Sequence, residues 1–207
     1  MNKNEYIWLH NNNDNSFNYL YKTLRKLISK YKKDMSILDI GCGNGYLTKK
    51  ITKDFKNIVA IDNSKSAIKF AKKKYKGSIK FINVDLDNFI IKKKFNIILL
   101  IEVIEHVYLP DLFLKKIVKF MNKNSILIIS TPYHGYLKNL VISLLNKFDS
   151  HFNPLWNYGH IKFWSKKTLT ILLNTNNLQI KKVFYSGRFF PLSKSMLMIC
   201  KKSSLQN

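Results

Sequence analysis

Short apolar runs alternate along this chain with longer stretches in which apolar residues return every third or fourth position, a pattern of strands and helices in turn. The two periods predict strands at 36–40, 57–61, 78–84, 95–101 and 125–130, and helices at 17–31, 46–53, 64–75, 110–121 and 165–174. The run at 95–101 is aliphatic throughout its second half, as expected at the centre of a parallel sheet buried on both faces. Two further runs, 178–185 and 194–201, read as an antiparallel pair at the sheet's edge. Between them and the fifth strand, 131–164 is too long for a simple connection and is rich in aromatic residues, so it reads as a partly helical lid. The expectation is a doubly wound α/β fold: a mostly parallel seven-stranded sheet with an antiparallel edge strand and a lid insertion after strand 5.

The turn after the first strand, Leu38-Asp39-Ile40-Gly41-Cys42-Gly43-Asn44-Gly45, carries glycine at every second position. Such a turn leaves backbone uncovered and open to close approach by a ligand. A dinucleotide fingerprint would need its third glycine at position 46, which is Tyr46. Asp39-x-Gly41-x-Gly43-x-Gly45 instead resembles the first motif of class I S-adenosylmethionine-dependent methyltransferases, in which this loop holds the methionine part of the cofactor. The resemblance implies a Rossmann-like sheet, S-adenosylmethionine as cofactor, and Asp39, Gly41, Cys42, Gly43 and Gly45 as the loop that binds it. Cys42 reads as a small packing residue there rather than a nucleophile. Asp62 ends the second strand one helix further on, where an acidic side chain can accept hydrogen bonds from both ribose hydroxyls. Its competing role is to cap the next helix, which Asn63 or Ser64 can also do. In the family an acidic residue after the third strand contacts the adenine amino group, and Asp85 stands at the matching place.

The fourth strand is followed by Glu102-Val103-Ile104-Glu105-His106-Val107. If the chain turns helical there, Glu102, Glu105 and His106 share one face. The chain has only three glutamates, Glu5 being the other. Two close carboxylates repel, which pushes one toward its protonated form, and a divalent cation removes that penalty. A helix end capped by Glu102, with His106 bonded to a backbone carbonyl, is the competing role. Together with Ser130-Thr131-Pro132-Tyr133-His134-Gly135, the segment resembles the O-methyltransferases that methylate catechol-type rings in ubiquinone biosynthesis, a likeness running from Leu38 through Trp164. In that family, and in the 3′-terminal 2′-O-methyltransferases of small RNAs, the glutamate-histidine signature binds Mg2+. The RNA family adds a histidine from a segment similar to Gly159-His160-Ile161-Lys162-Phe163-Trp164, which makes His160 a fourth candidate ligand beside Glu102, Glu105 and His106. Histidine ligation also suits Mn2+, Co2+ or Zn2+.

His134 follows the fifth strand, where ligands of open parallel sheets gather, and is the candidate general base; a lid histidine held only for structure is the alternative. Tyr133, Phe152, Trp156, Tyr158 and Trp164 supply either an aromatic wall for a planar substrate or the lid's own core. The implied reaction is transfer of the sulfonium methyl to an oxygen of a small catechol-like or diol acceptor, assisted by a divalent metal. A 2′-O-methyltransferase acting on RNA and a non-catalytic S-adenosylmethionine-binding protein are the alternatives.

Composition narrows this picture. With 207 residues, 46% of them hydrophobic, the expectation is one methyltransferase domain spanning 1–207, with 1–35 an N-terminal helical segment and 131–164 the substrate lid. Cys42 and Cys200 belong to no paired pattern, which argues against disulfides and structural zinc. The polar, asparagine-rich 1–16 is no signal peptide, and the longest aliphatic run, 97–101, is too short to span a bilayer. A cytoplasmic protein without a transmembrane segment is expected. The net charge of +24 invites a nucleic-acid partner. Yet the lysines are spread over the whole chain and only Arg25 and Arg188 offer the guanidinium fork suited to phosphate. A solvated lysine surface and a small-molecule acceptor are therefore favoured over a nucleic-acid site.

Overall fold

The structure, a computed structural model, describes residues 15–77 and 79–203; Glu5 and His10 lie outside the described residues. Strands and helices follow in the expected alternation: α1 (Asn15–Ile28), β1 (Ser36–Ile40), α2 (Tyr46–Ile51), β2 (Asn57–Asp62), α3 (Lys65–Lys74), β3 (Ile79–Asn83) and β4 (Phe95–Ile101). A single 3-10 turn, Ile104–His106, leads to α4 (Pro110–Lys119) and β5 (Met121–Pro132). Then come α5 (Tyr136–Leu144), α6 (Phe148–His151), α7 (Lys166–Thr175), β6 (Leu178–Ser186) and β7 (Ser195–Lys202).

The strands form one seven-stranded sheet in the order β3-β2-β1-β4-β5-β7-β6. β1 to β5 run parallel, and β7 pairs antiparallel with both β5 and β6. The antiparallel pair expected at the edge is present, and within it β7 is the reversed strand while β6 closes the sheet.

Successive side chains of a strand point to opposite faces, and this divides the interior in two. Ile37, Ala60, Ile97 and Leu99 pack under Leu20, Leu24 and Ile28 of α1 and under Ile68 and Ala71 of α3. Leu38, Ile40, Ile98 and Leu100 face the other way, onto Leu114 and Ile117 of α4 and Leu169 and Leu173 of α7. Because both faces of β1 and β4 are covered, their middles, Ile37-Leu38 and 97–101, are apolar throughout, and the polar residues they do carry are tied by hydrogen bonds: Ser36 to Asn96 and Asp39 to Thr48. A register shift between Phe95 and Ile97 turns Phe95 onto the same face as Ile98.

Helix ends follow local chemistry. Ser64 accepts a hydrogen bond from the Ala67 N–H at 3.2 Å and so caps α3, a role open to Asp62 from the sequence. Ser165 and Thr168 form a reciprocal capping box on α7. β5 starts earlier than the apolar run at 125–130: Met121 pairs with Phe95, and the Ser125 hydroxyl accepts from the Asn122 N–H at 2.8 Å and bonds to the Phe95 carbonyl.

The chain runs outward from β1 through β2 to β3, then returns to lay β4 on the other side of β1. Strand order reverses between β1 and β4, and crevices at the carboxyl ends of such a pair are where open α/β sheets take their ligands.

Candidate active site

The glycine turn leaves β1 at this switch point. Gly41, Gly43 and Gly45 have φ of 75°, 52° and 73°, the left-handed region that a side chain makes costly. Gly41 and Cys42 donate their N–H groups to the Ile61 carbonyl at 2.9 and 3.1 Å, tying the turn to β2. Asp62 completes the tie: one carboxylate oxygen accepts from the Gly43 N–H at 2.7 Å and the other from the Ser64 N–H at 2.8 Å. Burial raises the Asp62 pKa, and these two N–H donors pull it back down. Each oxygen keeps a lone pair for a further donor.

Asp39 takes no such position. It is buried, accepts the Thr48 hydroxyl at 2.6 Å, and is pushed up to about 7 by burial. Its carboxyl therefore braces α2 against β1.

A cavity of about 760 Å³ opens beside the turn, within the range of roughly 300–1,000 Å³ usual for small-molecule sites. Gly41, Asp62 and Asp85 line one part of it, and Glu105, His106 and His160 another. Asp39, Cys42, Gly43 and Gly45 are not among the residues that line it. Asp85 is oriented by Asn88, whose backbone N–H and side-chain amide both donate to it at 2.9 Å.

The second turn of the site follows β4, and it is not the α-helix expected from the sequence. Glu102 has φ 54°, and only the three residues Ile104–His106 that follow coil, as a 3-10 turn. The helical rule that would place Glu102 on one face with Glu105 and His106 therefore does not apply. Ligand atoms of Glu105, His106 and His160 lie within 4.8 Å of one another. Glu102 stands outside that group; its two carboxylate oxygens accept the Ser130 hydroxyl at 2.7 Å and the Ser195 hydroxyl at 3.2 Å.

His160 reaches the group because residues 159–164 are stitched onto the 3-10 turn. The Ile161 and Lys162 N–H groups both donate to the Glu105 carbonyl at 3.0 Å. His106 Nδ1 lies 3.2 Å from the Gly159 carbonyl, and the Trp164 indole N–H donates to the Ile104 carbonyl at 3.4 Å.

The electrostatics of this group fit a cation. Glu105 is 1% exposed; neither carboxylate oxygen makes a full hydrogen bond among the described residues, and the Thr131 hydroxyl beside them offers only a weak one. Burial first, and the Glu102 charge second, raise its pKa well above the carboxylate range. His160 is lowered to about 4 by burial and by His106 beside it, so at neutral pH it offers a lone pair rather than a charge. A buried carboxylate without a partner is costly, and one oxygen with two imidazole nitrogens is a donor set that a divalent transition ion such as Mn2+ satisfies better than Mg2+.

The structure does not bring His134 to the cavity. Its backbone N–H donates to the Trp164 carbonyl at 3.0 Å, and its ring packs against Phe163 at 5.2 Å, Phe152 at 5.4 Å and His151 at 6.1 Å between centroids. Burial, with the Lys138 charge next, lowers it to about 4. Its ring sits among the aromatic residues of 131–164.

The aromatic residues divide. Trp156 and Tyr158 line the cavity, with Trp156 set against His160 at 5.6 Å, whereas Tyr133 and Trp164 are buried in the core. Tyr19 of α1 also lines the cavity. Nothing in the amphipathic pattern of that helix distinguishes it from its neighbours.

A family model for a methyltransferase domain matches residues 31–178. The ubiquinone biosynthesis O-methyltransferase of Pelagibacter ubique is 32% identical over 184 residues, covering 84% of this chain and 76% of that protein. The protein of the same name from Rickettsia prowazekii is 26% identical over 94% of this chain and 77% of its own length. Among solved structures, an S-adenosylmethionine-dependent methyltransferase from Clostridium acetobutylicum superposes with a TM-score of 0.69 at 15% identity, over 89% of this chain and 92% of that one. At that identity the likeness is one of fold. Among the described residues, no helix is long and apolar enough to cross a membrane.

Proposed function

This chain belongs to the class I S-adenosylmethionine-dependent methyltransferases, and on that premise we propose that it methylates an oxygen of a small catechol-like or diol acceptor with the help of a divalent cation. The observation that carries the proposal is Glu105: a buried carboxylate with no full hydrogen bond and only the Thr131 hydroxyl weakly beside it, next to two imidazoles, on the wall of the same cavity that Gly41 and Asp62 line. The names of the relatives support oxygen as the methyl acceptor. Membership of the family also removes the non-catalytic binding protein as an alternative.

When bound, S-adenosylmethionine supplies an activated sulfonium methyl and a divalent cation lowers the pKa of a hydroxyl it holds. The rest of the work belongs to the chain. Gly41 gives the cofactor an uncovered backbone to lie against, Asp62 offers its remaining lone pairs to the ribose hydroxyls, and Asp85 faces the adenine end. Asp39, Cys42, Gly43 and Gly45 shape that loop. Glu105, His106 and His160 would hold the cation, and Trp156 gives a planar acceptor a ring to pack on. Residues 131–164 act as the acceptor-side lid of a single domain spanning 1–207, with 1–35 as its N-terminal helical segment. Holding both reactants together in one cavity can supply up to about 7–11 kcal/mol of the barrier lowering.

The test is transfer of labelled methyl from S-adenosylmethionine to catechol, followed by mass analysis of the product. Transfer is expected with Mn2+ or Mg2+, is lost in EDTA, and falls by at least about a hundredfold in Glu105→Gln, the scale of removing a charge-stabilising group. Full-rate transfer by metal-stripped protein would remove the cation from the reading. Transfer to an RNA 3′ end with none to any small diol would replace the acceptor.

A further inference from the structure

The backbone of Glu105 is pinned, since its carbonyl accepts from the Ile161 and Lys162 N–H groups, but its carboxylate is not. The side chain set to hold it lies on β5. We propose that Thr131 is the positioning residue of the cation site: its hydroxyl donates to one oxygen of Glu105 and leaves the other oxygen for the ion. The inference rests on the cation-binding role given above to Glu105, His106 and His160.

Alternation along β5 places Thr131 on the face this requires. Leu127 and Ile129 pack into the core shared with Ile104 and Trp164, whereas Ile126 and Ile128 pack into the core under Leu20 and Leu24 of α1. Successive side chains of a strand point to opposite faces, so Thr131 continues the row of Leu127 and Ile129, and Ser130 the row of Ile126 and Ile128. The two adjacent hydroxyls thereby serve different glutamates. Ser130 bonds to the Glu102 carboxylate at 2.7 Å. Thr131 lies beside Glu105, the residue that directly follows Ile104.

Burial makes the hydroxyl matter. Thr131 is 0% exposed, and its oxygen, like both carboxylate oxygens of Glu105, makes no full hydrogen bond among the described residues. Burying a hydroxyl without a strong partner is costly, and packing alone does not account for one here, because valine has nearly the same branched shape and suits a strand as well.

The chemistry of metal sites gives that hydroxyl a use. Histidines and carboxylates that bind an ion are themselves oriented by hydrogen bonds from outside the ligand set. His106 has such a partner: its Nδ1 lies 3.2 Å from the Gly159 carbonyl, and the tautomer that donates there keeps a lone pair on Nε2. Thr131 supplies the equivalent for Glu105. With one carboxylate oxygen accepting the hydroxyl, the anion keeps a fixed direction and a charge that burial otherwise opposes.

Two substitutions and two ligands test this. Thr131→Val removes the hydroxyl and keeps the branched shape; Thr131→Ser keeps the hydroxyl. Titration with Mn2+ alone, read by electron paramagnetic resonance, should show binding weakened about ten- to a hundredfold in Thr131→Val, the usual effect of losing such an outer partner, and by no more than about threefold in Thr131→Ser. Affinity for S-adenosylhomocysteine, measured by calorimetry, should stay within about twofold of wild type in both variants. Mn2+ held by Thr131→Val as tightly as by the wild type, an equal loss in Thr131→Ser, or a matching loss of S-adenosylhomocysteine affinity would each overturn the inference. Failure of the wild-type protein to bind Mn2+ at all would instead overturn the cation reading, and this inference with it.

Discussion

Replacing Gly41 by alanine puts a methyl group 2.4 Å from Cγ2 of Val103 on a backbone held at φ +75°. The left-handed backbone costs an alanine roughly 1–2 kcal/mol, and forcing the two carbons apart costs roughly 1–3 kcal/mol in a packed site. Together the loss is about 2–5 kcal/mol, or a fall in melting temperature of about 4–20 °C for a chain of this size. The two contributions separate in a double-mutant cycle. Val103→Ala removes the colliding methyl but leaves the backbone as it is, so Gly41→Ala in that background should cost only the backbone part, about 1–2 kcal/mol. Urea unfolding of the four proteins measures the coupling, which should be about 1–3 kcal/mol in the relieving direction. Additivity within about 0.5 kcal/mol would show that the two turns do not touch as described. Because Gly41 and Val103 both line the cavity, S-adenosylmethionine affinity should also fall in the single variant and recover in the double.

Asp62→Asn loses an anion that both braces Gly43 and faces the cavity, so S-adenosylmethionine affinity should drop about ten- to a hundredfold by calorimetry; an unchanged affinity would remove Asp62 from the cofactor site. His134→Phe should keep methyl transfer near the wild-type rate, since the ring sits among Phe152 and Phe163; a fall of about a hundredfold or more, the size of a missing general base, would return His134 to the chemistry. The same variant tests a pH effect. The folded pKa of His134, about 4, lies below the unfolded value of about 6.5, so the unfolded chain takes up the proton first. Stability from this group is whole above about pH 6.5 and is lost as pH falls toward 4, and His134→Phe should lack that loss in denaturation series. Asp39 acts in the opposite sense. Its folded pKa of about 7 exceeds the unfolded value of about 3.9, so its contribution is whole below about pH 4 and is lost as pH rises through 7; Asp39→Asn should flatten that decline, and an unaltered profile would contradict the burial of its charge.

Much of the fold was legible because the sheet is buried on both sides. β1 and β4 stand where the apolar runs place them, and Ser64 and Ser165 mark helix starts. What periodicity could not carry was a single residue in an unusual backbone state. Glu102 at φ 54° breaks the helix that the glutamate-histidine spacing suggested, and with it the ligand face. His134 shows the same gap in another form: its place after β5 was readable, but the direction of its ring depends on Phe152 and Phe163, eighteen and more positions away. His160 could be named only by resemblance, because what brings it in is a pair of backbone bonds to the Glu105 carbonyl. Tyr19 left no signal at all, since an aromatic on an amphipathic helix reads as core.

The measurement that bears most directly on the whole account is calorimetric titration of metal-stripped protein with catechol in the presence of S-adenosylhomocysteine, before and after Mn2+ is restored. A cavity shared by cofactor and cation predicts catechol binding only after Mn2+ returns, and none in Glu105→Gln under either condition. Catechol bound equally well with and without the ion would contradict a cation held by Glu105, His106 and His160 as the acceptor's anchor.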